Sequence, residues 1–159
     1  MEINENFRLA QKDMIRADHL LYVSLKYSRT VDVIRSLINR LIEAFDLANI
    51  AVLENNLQGD ELKKTLHGSK TRTDALVKIF PQTQEYVDFY FLLRKLYQGP
   101  VLQSLSEFRK NVTLVTEIDG KEARVDLVKS EEFYFKMKDF IKLLNKLMHE
   151  VEEEEVYRH

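Results

Sequence analysis

Residues 107–127, EFRKNVTLVTEIDGKEARVDL, decide the fold because they interrupt a sequence whose other long segments follow a helical pattern. Their centre is Asp119-Gly120, a pair that tolerates the positive φ angles of a two-residue type I′ turn. The flanks, Val112–Ile118 and Lys121–Leu127, are rich in β-branched residues, which favour strands. The stretch therefore predicts one β-hairpin, at about residues 112–127, in an otherwise helical chain.

Three long stretches around this hairpin carry apolar residues at steps of three and four, the spacing of one helix face. They are Asn4–Tyr27, Val31–Asn56 and residues 130–154. Thr30 is the predicted N-cap of the second helix, and Ser130 is the predicted N-cap of the last one. The short link Ser28-Arg29 predicts that the first two helices lie antiparallel.

Shorter helices are predicted in the middle of the chain, each bounded by glycine, proline or a capping residue. They cover Glu61–Leu66, Asp74–Phe80, Thr83–Tyr97 and Val101–Lys110. Asp60 and Thr73 are the predicted caps of the first two. The predicted fold class is therefore mainly α: an antiparallel helical bundle of about five or six helices with one β-hairpin before the C-terminal helix, in a single domain of residues 1–159.

Two of these predicted elements must pack against other parts of the protein to be stable. The predicted helix Thr83–Tyr97 carries aromatic side chains on several faces, which indicates a helix that is buried on most sides. A second copy of the chain could supply part of that cover. Two strands alone are only marginally stable, so the hairpin must pack on its own helices or on another copy. We therefore expect a homodimer.

The composition excludes several classes of chemistry. The chain has no cysteine, which excludes disulfides, thiolate catalysis and cysteine-based zinc sites. Its formal net charge is -2, so an interaction with nucleic acid would need a local basic patch. No metal-binding spacing and no glycine-rich phosphate loop occurs, so neither a metal nor a cofactor is expected. Without a secretion signal or an apolar run of membrane-spanning length, we expect a cytoplasmic protein with no membrane contact.

A basic stretch in the middle of the chain is the first candidate site for an anion or RNA. Its members are Lys63, Lys64, His67, Lys70 and Arg72. They fall around a predicted loop at Gly68-Ser69 and could hold a phosphate backbone. No aromatic side chain is interleaved with them, so the stacking surface of single-strand binders is missing here. A charged, solvated loop is the alternative interpretation.

A second candidate is the polar cluster Arg109-Lys110-Asn111, at the end of the predicted helix Val101–Lys110. Cations near a helix C-terminus interact favourably with the helix dipole, and Asn tolerates the left-handed conformation of a helix exit. That structural role is sufficient to explain the cluster. The functional alternative is a contact with an anion or with RNA at the end of the bundle.

The order of elements resembles the HEPN superfamily, whose members are small α-helical bundles that usually form dimers, many of which cleave or bind RNA. The likeness lies in two long antiparallel helices, a basic middle, and Phe108-Arg109-Lys110-Asn111 before the last long helix. The family's catalytic motif combines an arginine with a histidine a few residues beyond it. In this chain Leu114, Val115 and Thr116 occupy the place of that histidine. The resemblance implies a dimeric bundle that lacks the catalytic histidine.

The sequence as a whole predicts a non-catalytic, HEPN-like binding or scaffold module that forms a homodimer and contacts RNA or another protein. Arg109, Lys110, Asn111 and the basic stretch would supply its anion contacts. One alternative is a HEPN-type endoribonuclease that uses Arg109. Two others are a protein-interaction subunit with no nucleic-acid role and a helical bundle that binds a small ligand.

Overall fold

The computed structural model describes the backbone of residues 4–158 and the side chains of residues 4–150. The helices are α1 (Glu5–His19), α2 (Leu25–Tyr27), α3 (Val31–Asn56), α4 (Gly59–Thr65), α5 (Ser69–Ile79), α6 (Gln84–Gln98) and α7 (Leu127–Arg158). The strands are β1 (Gln103–Leu105), β2 (Thr113–Ile118) and β3 (Lys121–Val125). The prediction of a mainly α fold with strands before the C-terminal helix is confirmed.

Helices α1 and α2 form one rod, joined by the π-helical turn Leu20–Ser24. Asn4 caps the rod, and its Oδ1 accepts a hydrogen bond of 3.1 Å from the backbone nitrogen of Phe7. The rod ends at Tyr27, which confirms the extent of the first predicted helix. The π turn was not predicted, because apolar periodicity does not distinguish a single wide turn from an α-helical one.

Helix α3 is the central element, and α1, α5, α6 and α7 all pack against it. Thr30 caps it as predicted, with its Oγ1 accepting a hydrogen bond of 3.3 Å from the backbone nitrogen of Val33. In its middle, the ring of Phe45 stacks between Tyr90 of α6 and Phe140 of α7, at centroid distances of 4.2 and 4.7 Å. This aromatic stack holds three helices together around one side chain.

The aromatic residues of α6 pack into the core of their own chain. Phe89 and Tyr90 are buried, while Tyr86, Phe91 and Tyr97 are partly buried against the same core. The prediction is confirmed for these aromatic residues, whereas another face of the helix, with Asp88 and Leu92, is exposed. A second copy of the chain is not required to cover these aromatic residues, so the aromatic helix gives no reason to expect a dimer.

The predicted hairpin forms, as two strands of a three-stranded antiparallel sheet in the order β1-β2-β3. Its turn has φ angles of 52° at Asp119 and 80° at Gly120, as a type I′ turn requires. The predicted helix Val101–Lys110 is wrong, because the chain there forms β1 and a loop. Gln103 pairs with Val115, so pairing with the next strand overrides the local helical spacing.

Two predicted helix caps are also wrong. Thr73 and Ser130 are buried inside α5 and α7, where their hydroxyls donate to the carbonyl oxygens of Lys70 (3.1 Å) and Asp126 (2.7 Å). Serine and threonine can make such bonds within a helix as well as at its start. The cap of α7 is Asp126, whose Oδ1 accepts a 2.8 Å hydrogen bond from the backbone nitrogen of Lys129. Each helix therefore begins a few residues earlier than predicted.

Asp60 is likewise not a cap, since α4 begins at Gly59 and Asp60 lies in its first turn. Among the described residues, none of the helices combines the length and the apolar character that crossing a membrane requires.

Gly99 ends α6 at the point where this helix meets β2. A Cβ atom at Gly99 would lie 2.5 Å from Thr116 Oγ1 and 2.8 Å from the carbonyl oxygen of Glu117. Contacts this short force the backbone to move, so glycine is required here by close approach and not by its φ of -66°.

Replacing Gly99 by serine should therefore lower the free energy of unfolding by about 1–3 kcal/mol, as overpacking does in other cores. Gly68→Ser is the matched control, because no atom lies within 4 Å of its Cβ position and it precedes α5 at the N-cap. Serine is favoured at that position, so this control should be as stable as the wild type or more so. Urea unfolding measures both, and equal stability of the two variants would contradict the close packing of α6 on β2.

The hydroxyl of Tyr90 donates a 2.6 Å hydrogen bond to Asp46 Oδ1, and its ring is buried. Burial raises the pKa of Tyr90 to about 12, and the hydrogen bond to Asp46 and the negative charge of that carboxylate add to the shift. The folded state thus keeps a proton that an unfolded tyrosine loses near pH 10. The resulting stability is fully present below pH 10 and is lost as the pH rises towards 12.

Tyr90→Phe should lower the free energy of unfolding by about 1–2 kcal/mol at neutral pH, because Asp46 loses a hydrogen-bond donor. The variant should also lose less stability than the wild type above pH 10, since Tyr90 no longer titrates. Urea unfolding at neutral and alkaline pH measures both effects, with the exposed Tyr27→Phe as control. Parallel pH profiles for Tyr90→Phe and the wild type would contradict this account.

Candidate functional site

The basic stretch of residues 63–72 covers the ends of two helices and the break between them. The break predicted at Gly68-Ser69 is confirmed at residues 66–68, which include His67. Lys63 and Lys64 lie in α4, whereas Lys70 and Arg72 lie in the first turns of α5. The two helices are separated only by residues 66–68. The cations of this stretch therefore lie on two helices. Whether each one can bind a ligand depends on the groups that it already contacts within the chain.

Two of these cations are already paired within the chain. Lys70 Nζ lies 2.8 Å from Asp74 Oδ1. Arg72 lies 3.6 Å from Asp46 Oδ1 and donates a 3.2 Å hydrogen bond to the carbonyl oxygen of Leu66. Only 17% of the Arg72 side chain is exposed, so it connects α5 to α3 and is not offered to a ligand.

The two basic clusters predicted from the sequence lie at different ends of α3. Lys63 and Lys64 are on α4, which follows the C-terminal end of α3, and they share α4 with two acidic residues. Residues 106–111 lie beside the N-terminal end of α3. Helix α3 has 26 residues, which gives it a length of about 39 Å. The two clusters therefore cannot form one continuous surface.

The loop of residues 106–111 lies in the connection between β1 and β2 and docks on the corner between α2 and α3. The backbone nitrogen of Phe108 donates a 2.8 Å hydrogen bond to the carbonyl oxygen of Arg29 in that corner. Glu107 Oε1 accepts a 3.3 Å hydrogen bond from the backbone nitrogen of Val31, the first residue of α3. Both bonds fix the loop on the N-terminal end of the central helix.

Arg109, Lys110 and Asn111 are exposed on this loop and do not end a helix. The helix-dipole explanation of these cations is therefore wrong, because the helix predicted to precede them is absent. That helix is also one of the layout features on which the resemblance to the HEPN superfamily depends. The three positions that replace the family's histidine are buried in β2.

A cavity of about 310 Å³ opens between this loop, the rod of α1 and α2, and the start of α7. Three cationic residues line it: Lys26, Arg29 and Lys110. Leucine side chains and the ring of Tyr22 form most of its remaining wall, together with one acid, Glu131. Lys110, a candidate from the sequence, is thus joined by two cations from a segment that lies about 80 residues earlier in the chain.

Exposed aromatic residues adjoin these cations in the sequence. Tyr27 is 80% exposed and Phe108 is 74% exposed, the highest values among the large hydrophobic side chains that the structure describes. Tyr22, which lines the cavity, is 44% exposed. We call this surface the basic–aromatic end, and its members are Tyr22, Lys26, Tyr27, Arg29, Phe108, Arg109 and Lys110.

The backbone of the basic–aromatic end is strained. Arg29, Ser106 and Phe108 have φ angles of 44°, 54° and 67°, in the left-handed region that side chains with a Cβ rarely adopt. Strained residues persist where the surrounding structure fixes them, and they cluster at functional sites. An exposed ring on a strained residue does little for stability, so Phe108 is better explained by what its ring can bind.

The ring of Tyr22 is held in place by Tyr134, in an edge-on contact with centroids 6.2 Å apart. Burial raises the pKa of Tyr22, and the negative charges of Glu131 and Asp18 raise it further. Tyr134 donates a 2.9 Å hydrogen bond to Asp18 Oδ2, and burial together with this bond raises its pKa to about 12. Tyr22 is therefore a neutral ring and hydroxyl donor at the edge of a cationic cavity.

Comparison of the chain with protein-family models, with curated proteins and with solved structures finds no match. The resemblance to the HEPN superfamily stays a prediction. Across the residues that the structure describes, no group of three or more histidine or acidic side chains is placed to hold a metal ion. What the site can do follows from its own geometry and charges.

Sequence reasoning missed the half of the site that lies in residues 22–29, YVSLKYSR. This segment interleaves two aromatic residues with two cations, a pattern typical of surfaces that bind single strands. Apolar periodicity assigns the same segment to a packed helix and a short link, which hides the pattern. The interleaving itself was a signal that could have identified the site.

Replacing Phe108 by glycine should raise the free energy of unfolding by about 0.5–1 kcal/mol. Glycine adopts a positive φ without strain, and that gain exceeds its larger entropy cost on folding. Phe108→Ala is the matched control, because it removes the same exposed ring but keeps the strained backbone. Urea unfolding compares the two, and equal stability of the glycine and alanine variants would refute the strain at Phe108.

Proposed function

We propose that this protein is a non-catalytic module that binds single-stranded RNA at its basic–aromatic end. One observation carries the proposal: cations and exposed aromatic rings alternate on a corner of the fold whose backbone is fixed and strained. Charged surfaces without rings and exposed rings without charges are both common on proteins. Their combination on one corner of the fold is what a single strand requires.

The physical reason is that a single strand offers two kinds of group at once. Its phosphates are neutralised by cations such as Lys26 and Lys110, and its bases can stack on rings such as Tyr27 and Phe108. Stacking of one base on an aromatic side chain contributes about 1–3 kcal/mol. The net charge of the chain is -2, so binding depends on this local group of cations and not on the field of the whole protein.

Glu131 supports RNA over DNA as the ligand. Its carboxylate lies in the wall of the cavity beside the three cations. A carboxylate can accept a hydrogen bond from a ribose 2′-hydroxyl, a group that DNA lacks. For a ligand that carries only phosphates, an acid at this place would be unfavourable.

The proposal also includes a homodimer, a cytoplasmic location and a relation to the HEPN superfamily. The order of two long antiparallel helices, a basic middle and a last long helix supports the relation. The absence of cysteine agrees with a reducing compartment.

Fluorescence anisotropy with a labelled RNA of about ten nucleotides tests the proposal. Affinity should fall as the salt concentration rises from about 50 to 200 mM. The double variant Lys26→Ala, Lys110→Ala should reduce the slope of log affinity against log salt by about 0.7 for each phosphate that the protein no longer neutralises. Phe108→Ala should weaken binding about fivefold or more, because a stacked base loses its partner.

The matched control is the double variant Lys63→Ala, Lys64→Ala, which removes the same charge at the other end of α3 and should keep wild-type affinity. Loss of binding in this control, with Lys26→Ala, Lys110→Ala unaffected, would place the RNA surface on α4 and contradict the proposal. The DNA of the same sequence should bind more weakly. An RNA that does not bind at about 50 mM salt would remove the proposal.

The endoribonuclease alternative is tested with the same RNA on a denaturing gel after incubation with the protein. Cleavage that Arg109→Ala abolishes would replace the binding proposal with an enzymatic one. An RNA that stays intact while it binds supports a non-catalytic module.

A further inference from the structure

A second cavity, of about 660 Å³, opens between the start of α6 and the first turns of α7. Four carboxylates line it, from Glu85, Glu131, Glu132 and Asp139. Lys136 is the one cation among the described residues of its lining. Within the described part of the chain, these carboxylates form one ion pair, of 3.6 Å between Glu132 and Lys129, in which both side chains are half exposed or more. We call this surface the acidic groove.

The acidic groove also has an apolar component. Tyr86, Val128 and Phe135 contribute to its lining. Val128 is 67% exposed and Phe135 is 44% exposed, so the groove presents uncovered apolar surface between its acids. A fitting partner must therefore supply cations and an apolar or aromatic side chain together.

Such a partner is present in the chain itself. The basic–aromatic end combines cations with the exposed rings of Tyr27 and Phe108, which is the chemical complement of the acidic groove. The two surfaces are neighbours, because Glu131 lines both cavities. A surface cannot occupy the groove beside it on the same rigid fold, but a second copy of the chain can.

We propose that two copies of the chain pair about a two-fold axis, each inserting its basic–aromatic end into the acidic groove of the other. Adjacent complementary patches favour this closed arrangement, because one two-fold contact satisfies both patches on both copies. A head-to-tail chain would leave a charged apolar patch uncovered at each end. In this dimer the surface proposed to bind RNA is covered, so pairing would regulate RNA binding. This regulatory consequence rests on the proposed function.

Charge exchange between two variants tests the pairing by sedimentation velocity. The end-reversed variant carries Lys26→Glu, Arg109→Glu and Lys110→Glu. The groove-reversed variant carries Glu85→Lys, Glu132→Lys and Asp139→Lys. Each variant alone places like charges in contact, so its dimer dissociation constant should rise about a hundredfold. An equal mixture of the two restores opposite charges at both contacts and should form a heterodimer.

The matched control, Asp60→Lys with Glu61→Lys, changes the sign of two exposed acids on α4 and should dimerise like the wild type. The reversed positions lie on the surface of the fold, and circular dichroism confirms that each variant folds. A wild type that stays monomeric at every concentration overturns the pairing, and so does a mixture that does not associate. Species that keep growing beyond the dimer overturn the two-fold arrangement.

Adding the labelled single-stranded RNA to the wild-type dimer separates this inference from the proposed function. Release of monomers that carry RNA supports both. RNA that binds without dissociating the dimer overturns the masking of the RNA surface. A dimer that passes the charge exchange but binds no RNA leaves the pairing in place and removes the proposed function. RNA binding by the wild type, together with no heterodimer in the charge-exchange mixture, removes the pairing and leaves the proposed function in place.

Discussion

The stack of Phe45 between Tyr90 and Phe140 sets the positions of the helices that carry everything else. The next residue of α3, Asp46, accepts a hydrogen bond from the hydroxyl of Tyr90 and forms an ion pair with Arg72. A single helical turn of α3 therefore holds α5, α6 and α7 at once. An aromatic stack beside a partly buried hydrogen bond is sensitive to small displacements, because both need well-defined geometry. The fold thus depends on one layer of side chains in the middle of its central helix.

The basic–aromatic end depends on that layer although it lies at the end of the molecule. The sheet lies in the chain between the end of α6 at Gly99 and the start of α7 at Leu127. Holding α6 and α7 in place therefore holds both ends of the segment that forms the sheet. The sheet in turn sets the loop of residues 106–111, and the bond from Phe108 to the Arg29 carbonyl closes it on the rod. Strain at Phe108 persists because the elements on both sides of the loop are held independently of it.

Local interactions explain what could be predicted from the sequence. The long helices follow from apolar periodicity, and the hairpin turn follows from the φ preference of Asp119-Gly120. Strand β1 could not be predicted, because Val101–Lys110 has helical spacing and becomes extended only through pairing with β2. The candidate site shows the same limit. Lys110 was predicted from its own neighbours, but its association with Lys26 and Arg29 is a contact between distant segments.

The segregation of charge is the feature that links the proposed RNA binding to the proposed self-association. A chain with a net charge of -2 could mix its signs over the whole surface, which favours solubility and lowers repulsion. Here three cations lie on one side of Glu131 and three further carboxylates lie on the other. Like charges within each patch repel one another, and binding of an oppositely charged group reduces that repulsion. According to the two proposals, a polyanion and a second copy compete for the same cations. If both proposals hold, the dimer fraction rises with the concentration of free protein and the RNA-bound fraction rises with the concentration of free RNA. Abundant RNA and dilute protein would then favour the monomer, whereas scarce RNA and concentrated protein would favour the dimer.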